Sequence, residues 1–362
     1  MSTIYIITAF VVVILSVAAD VMQGRRMSKT LTGERVETPC PNRLVTILLA
    51  SYLIFVGGFR YYVGVDYGFY YNTITATMST ITRYFGLFKE PGIRVISAVG
   101  RLFYDDGIST IFLSELVVVV LYVRTIHKYS PMFALSMCLY LFMGEWTGAF
   151  NGVRQYLASA VLFAGSRFIV EKKFIKYLIT VFIASMFHVT AWVMLSLYFF
   201  MNRKANFLQL LLLGAAAIVI SYSYDLLFDA IGYYKGVEMS MEQNAYYSNT
   251  VNILRVLVAV VPVVTFFAFC NRSNLSREEN FYINGLFFNA FAMMGASGSA
   301  YLARIGIYSA PLSLIGYAYL FRLFKDKTLA RIVMAVAFVL FIVYWTYTVK
   351  SNTFYWWFNR TE

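Results

Sequence analysis

An all-α polytopic membrane protein is the fold class this sequence predicts, and three observations predict it. Of 362 residues, 60% are hydrophobic and 13% are charged, about half the charged share of a soluble globular chain. Apolar runs close to the ~20 residues that cross a bilayer as a helix recur along almost the whole chain. The formal charge of +12 gathers in alternate connecting segments, as the positive-inside rule requires. These features exclude a soluble enzyme, a disordered chain and a coiled coil. They also give the basic excess a cause that needs no nucleic-acid partner.

The elements follow in order. Thr3–Ala19 reads as a first, retained span: no Lys or Arg precedes its apolar run, whereas Arg25, Arg26 and Lys29 follow it, unlike a secretory signal. Leu44–Phe59, Ile108–Ile126, Met132–Trp146 and Gly152–Val170 are further apolar runs. Phe174–Met201 has 28 residues and basic pairs at both ends, Lys172-Lys173 and Arg203-Lys204. A single crossing would leave one pair on the wrong side, so a short broken hairpin is expected, with His188 at its turn. Asn206–Tyr224, Val251–Cys270, Phe281–Gly298, Ala303–Phe321 and Leu329–Val349 complete the series. With the hairpin counted as two, there are about twelve transmembrane helices, and both termini lie outside. The inner segments then hold Arg25 to Arg43, Arg124 to Lys128, Arg167 to Lys176, Arg203-Lys204, Arg272 to Arg277 and Arg322 to Arg331.

Two external loops interrupt the spans, 60–107 and 225–249. The first is too apolar and aromatic for a free linker, and interfacial helices are expected at Tyr67–Thr82 and Gly92–Tyr104. No repeat or soluble insertion is visible, so residues 1–362 form one membrane domain. Phe354 to Phe358 reads as an interfacial aromatic anchor.

The chain has no phosphate-cradling glycine loop, no His-Glu-x-x-His and no Gly-x-Ser-x-Gly. With two histidines and three unspaced cysteines, neither a metal site nor a cofactor is expected. What remains is a set of polar residues at the external ends of spans, where ionisable groups are costly. Arg60 opens a stretch running through Val63-Gly64-Val65-Asp66-Tyr67 to Tyr70. Asn151-Gly152-Val153-Arg154-Gln155 opens the fifth span. His188 lies in the hairpin, and Arg304 with Tyr308 opens a later span. Glu145 lies near the Asn151 segment.

Arginines at one interface suit an anion such as pyrophosphate. A His or Asp suits removal of a proton from a sugar hydroxyl, and aromatics suit sugar faces. Glycosyl transfer from a polyprenyl-pyrophosphate donor fits this combination. Each residue also has a plainer reading. Asp66 could cap a helix, His188 could hold a helix break, and Arg60 and Arg304 could reach lipid phosphates. Arg154 is harder to explain structurally, because a cation in the first turn of a helix opposes its dipole.

At these same motifs the chain resembles the EpsG-type, Wzy-like polymerases of bacterial exopolysaccharide, capsule and O-antigen synthesis. The pieces that carry the likeness are Arg60 with Val63-Gly64-Val65-Asp66-Tyr67 and Tyr70, the Asn151 to Gln155 segment, Ala184 to His188, and Arg304 with Tyr308. Val65 departs from the small polar residue often found there. The resemblance implies a GT-C-like glycosyltransferase architecture in a bacterial inner or cytoplasmic membrane, with its active site facing outward. It implies transfer of a growing glycan from undecaprenyl pyrophosphate onto the non-reducing end of a new lipid-linked repeat unit. Both substrates would be undecaprenyl-pyrophosphate-linked oligosaccharides within membrane lipid, and a chain-length regulator is a possible partner. His188, Asp66 and Arg154 are the expected catalytic residues. Arg60, Arg304, Gln155, Asn151, Tyr70, Tyr308 and Glu145 are expected to bind substrate. A flippase or transporter of lipid-linked glycans, or a membrane O-acyltransferase, would also use some of these groups.

Overall fold

The computed structural model describes residues 2–29, 35–85, 89–216, 218–219, 253–296 and 300–359. The expected external loop 225–249 lies outside them. The chain is predominantly helical: α1 Thr3–Val21, α2 Arg43–Gly58, α3 Gly92–Arg101, α4 Gly107–Tyr129, α5 Phe133–Phe142, α6 Glu145–Gly148, α7 Val153–Gly165, α8 Arg167–Val170, α9 Phe174–Ser185 and α10 Leu197–Phe200. Next come α11 Phe207–Ala216, α12 Ile253–Phe269, α13 Arg277–Ala296, α14 Ala300–Leu323 and α15 Lys327–Val349.

Among the described residues, α1, α4 and α15 are long and apolar enough to cross a membrane. The other apolar helices are shorter, including α2, α5, α9, α11 and much of α12. Against the expected twelve or so crossings, the described residues hold three helices of spanning length and several shorter apolar ones. Large apolar side chains such as Phe10, Leu44, Ile175, Leu208 and Leu340 point outward, which lipid tolerates and water does not.

Strands also occur where none was expected. β1 Gly24–Lys29 pairs antiparallel with β2 Arg35–Cys40. The C-terminal aromatic cluster is more than an anchor. Its β4 Tyr355–Trp356 pairs with β3 Arg60–Tyr61, tying the end of α2 to the segment after α15.

Side chains cap helices where the chain turns. Asn42 accepts from the N–H groups of Leu44 and Val45, Asp106 from Ile108, and Asp326 from Thr328 and Leu329, satisfying donors that helix starts leave open. Inside the bundle, hydroxyls bond back to their own helix: Thr8 to Ile4 O, Ser114 to Thr110 O and Thr125 to Leu121 O. Such pairing removes the cost of a hydroxyl without water.

Two prolines sit inside helices, Pro262 in α12 and Pro311 in α14. Each lacks the N–H that would bond the carbonyl four residues earlier. Those carbonyls belong to Val258 and Ile307, and neither is orphaned. The Tyr317 hydroxyl donates to Val258 O at 3.1 Å, and Ser159 Oγ donates to Ile307 O at 2.7 Å. A hydroxyl from another helix thus replaces each lost bond, and both residues line the large cavity at one end of the bundle.

The loop between α2 and α4 builds the floor of that end. The expected helix at Tyr67–Thr82 is instead a π turn at Phe69–Thr73 and a 3-10 turn at Ile81–Tyr84. The expected helix from Gly92 is present as α3. The 28-residue run folds back on itself: α9 stops at Ser185, His188 is extended, and a 3-10 segment Val189–Ser196 returns along α9. Tyr177 of α9 donates to Met194 O across the pair at 2.9 Å.

Candidate active site

A cavity of about 1020 Å³ opens where the loop 60–85, the start of α7, the end of α9 and the ends of α12 to α15 converge. Asp66, Tyr70, Glu145, Asn151, Arg154, Gln155 and His188 all line it. They come from four separate stretches of sequence, so the fold, and not proximity along the chain, gathers them.

Local turns set these positions. Gly64 adopts φ +104°, and a Cβ there would lie 2.4 Å from the Phe150 carbonyl oxygen, so only glycine fits. Next to it, Asn151 Oδ1 accepts from the Val65 N–H at 2.7 Å. That bond pins the Asp66 loop to the start of α7. Asn151 thus acts on the site through the loop. Gly144, at φ +83°, turns the chain so that Glu145 begins α6 facing the cavity, where it accepts from the Tyr122 hydroxyl at 3.4 Å.

A residue that the sequence did not single out completes the arrangement. Glu90 is buried and stands at φ +48°, a left-handed conformation that costs an L-residue about 1–2 kcal/mol. Its segment runs beside the end of α9, with the Gly92 N–H donating to Met186 O at 2.8 Å. Glu90 Oε2 accepts from Arg154 Nη1 at 2.5 Å, and Oε1 accepts from the Val189 N–H at 3.0 Å. His188 Nδ1 approaches Oε1 at 3.2 Å, off the line of an ideal hydrogen bond. One carboxylate therefore joins the arginine of α7 to the histidine of the broken hairpin. Strain held at a site by surrounding contacts is a mark of function. In the sequence Glu90 was one acid in an apolar loop, with only the following Pro91-Gly92 to signal a sharp turn.

Arg154 is also within hydrogen-bonding reach of Tyr70 and in the field of Asp66. Burial pushes the Tyr70 phenol above its usual pKa, while Arg154 pulls it down, so the hydroxyl stays protonated at neutral pH. The dipole conflict at the start of α7 is offset by these acidic neighbours. Gln155 is buried, and its Nε2 has no hydrogen-bond partner among the described residues. A donor in that state suits a ligand oxygen.

The remaining expectations fall elsewhere. Arg60 does not line the cavity. It is buried 3.3 Å from Glu115 Oε2, donates to the Gly57 carbonyl, and stacks 4.3 Å from the Phe150 ring centroid. Burial lowers its pKa and the Glu115 carboxylate opposes that. This is an internal pair that locks α2 to α4. Tyr308 is buried as well, its hydroxyl 2.8 Å from Thr190 Oγ1, so it braces the segment after His188. Arg304 falls in α14, but its side chain lies outside the described residues. Among the described residues, no three His, Cys, Asp or Glu side chains group as a metal site requires.

A family model matches residues 43–359, and its description is the EpsG family. The chain belongs to the EpsG family. That family comprises membrane proteins of the polysaccharide-polymerase type, associated with Wzy-like polymerases. The match spans the Asp66 loop, Glu90, Arg154 and His188, so the cavity lies within the family's shared region. No curated protein and no solved structure matches the chain.

Proposed function

We propose that this EpsG-family protein polymerises a polysaccharide on the external face of a bacterial cytoplasmic membrane. It transfers a growing glycan from undecaprenyl pyrophosphate onto the non-reducing end of a lipid-linked repeat unit. The observation that carries this reading is the Glu90 bridge, which holds Arg154 and His188 together in one cavity. An anion ligand beside a base is what the reaction needs, and the family is of the polymerase type.

His188 accepts the proton of the acceptor hydroxyl. Its oxygen then attacks the anomeric carbon, and the bond from that carbon to the pyrophosphate oxygen breaks. The pyrophosphate leaves with the electron pair, and Arg154 stabilises its charge. The Nδ1 contact with Glu90 orients the ring and favours the imidazolium that forms, leaving Nε2 to exchange the proton. Asp66, Tyr70 and Gln155 bind sugar hydroxyls, and Glu145 holds the far wall.

The test uses purified protein in nanodiscs with its lipid-pyrophosphate-linked repeat unit and no nucleotide or acyl donor. A ladder of chain lengths on a gel is expected. His188→Ala and Arg154→Ala should leave single repeat units on lipid. Normal ladders from both variants would sink the assignment.

A further inference from the structure

The cavity has a second cation that the arrangement around Glu90 does not use. Arg255, the third residue of α12, is exposed and lines the same cavity as the Asp66 loop. Among the described residues no carboxylate lies within ion-pairing distance of it. Tyr156 of α7 lines the same cavity. Arg154, by contrast, is ion-paired with Glu90.

Several apolar side chains share this lining with Arg255. Val258 and Ala259 follow on the same face of α12, at the i+3 and i+4 spacing that stacks side chains. Ile307 and Ala310 of α14 and Phe341 of α15 complete this arm of the cavity. The Tyr317 hydroxyl donates to Val258 O, and its ring meets the Phe341 ring edge-on at 5.5 Å. From Phe341 to Thr348, both in the wall, α15 rises about 10 Å. That length accommodates the first isoprene units of a lipid, not its whole chain.

We propose that Arg255 and the apolar arm form a lipid-phosphate subsite for a polyprenyl pyrophosphate. Arg255 takes the phosphate next to the lipid, and the first isoprene units lie along α12, α14 and α15. Arg154 is left to face the phosphate next to the sugar. A cation without a carboxylate partner among the described residues, beside apolar side chains of the same lining, is complementary to a lipid with one anionic end. A phospholipid shares that chemistry but brings two chains and a glycerol unit, and the displacement measurement below separates the two. The inference rests on the reading of the cavity as a site for lipid-linked glycans.

The experiment measures binding of labelled undecaprenyl pyrophosphate, which carries no sugar, to the full chain in phosphatidylcholine nanodiscs. Wild type should bind saturably, and excess phosphatidylglycerol should not displace the label. Arg255→Gln should weaken binding on the order of tenfold, the scale of one charge-assisted contact. Ala310→Trp should weaken it comparably while keeping the charge, because the ring fills the arm. Arg255 is exposed, so its variant should fold, and the thermal midpoint checks both. Unchanged affinity in Arg255→Gln, equal displacement by phosphatidylglycerol, or no wild-type binding would each overturn the subsite. Arg255-dependent binding without a ladder from the complete substrate would retain the subsite and remove the polymerase reading. A ladder with unaltered binding in Arg255→Gln would do the reverse.

Discussion

Replacing Glu90 separates two jobs that the carboxylate performs at once. In Glu90→Ala, the buried Val189 N–H loses its acceptor, which costs about 1–3 kcal/mol. Arg154 also loses its counter-charge. A fully buried orphan of that kind costs about 3–5 kcal/mol, but a third of the Arg154 side chain is exposed, so water recovers much of this. The total is roughly 2–4 kcal/mol, enough to lower the thermal midpoint. In Glu90→Gln, the amide oxygen can still accept from Val189, so most of that stability stays. What is lost is the negative charge beside His188 and Arg154. General-base catalysis contributes ~100- to 10,000-fold, so a fall of ~100-fold in polymerisation rate is expected, equivalent to about 2.7 kcal/mol in the barrier. The assay is initial ladder formation in nanodiscs, with thermal unfolding alongside. If Glu90 acts through His188, the double variant Glu90→Gln/His188→Ala should be no slower than His188→Ala alone. A Glu90→Gln protein working at the wild-type rate, or fully additive losses in the double variant, would refute the positioning role.

Other substitutions test the frame around the site. Gly64→Ala places a Cβ against the Phe150 carbonyl at a positive φ, so a stability loss above ~1 kcal/mol and a displaced Asp66 loop are expected. Limited proteolysis between residues 60 and 85 would detect it, and an unchanged digestion pattern would count against the fit. Arg60→Met alone strands Glu115 in the interior and should cost about 3–5 kcal/mol. Arg60→Met with Glu115→Leu should recover most of this in thermal unfolding, whereas a substrate-binding Arg60 would leave the folded double variant inactive. Tyr317→Phe removes the donor to Val258 O and should cost about 1–3 kcal/mol. Tyr308→Phe, which loses the bond to Thr190, should cost about 1 kcal/mol and slow polymerisation without weakening substrate binding.

Hydrophobic length made the long helices α1, α4 and α15 legible. α2 and α4 begin and end within a few residues of the apolar runs, because burial in a membrane depends on composition more than on partners. The break at His188 was legible too, since the basic pairs flanking a 28-residue run demand a reversal. Side-chain destinations were harder to read. Arg60 and Asp66 share one motif, yet Tyr62 and Gly64 both take positive φ between them. The chain turns there, so Arg60 enters the interior and Asp66 reaches the cavity. Glu90 was illegible for a related reason. Its meaning comes from contacts with residues 64 and 99 positions away, and no local pattern encodes them. The strand pair β3–β4 joins the two ends of the described bundle through two residues each, too few to leave a period in the sequence.

The two proline-freed carbonyls also bear on how the chain is assembled. Ser159 precedes Ile307 by 148 positions, so the donor is already in place when α14 enters the bilayer. The order is reversed for α12: the Val258 carbonyl is made first, and the Tyr317 hydroxyl follows 59 residues later. If α12 and α14 are spans, as expected of Val251–Cys270 and Ala303–Phe321, α12 carries a bare carbonyl in hydrocarbon until α14 docks, which favours leaving it near the translocon or at the interface. Insertion of this half of the protein is therefore expected to be a concerted, late event. A chain truncated before Tyr317 should leave α12 accessible to water-soluble labels, and one extended through α14 should protect it.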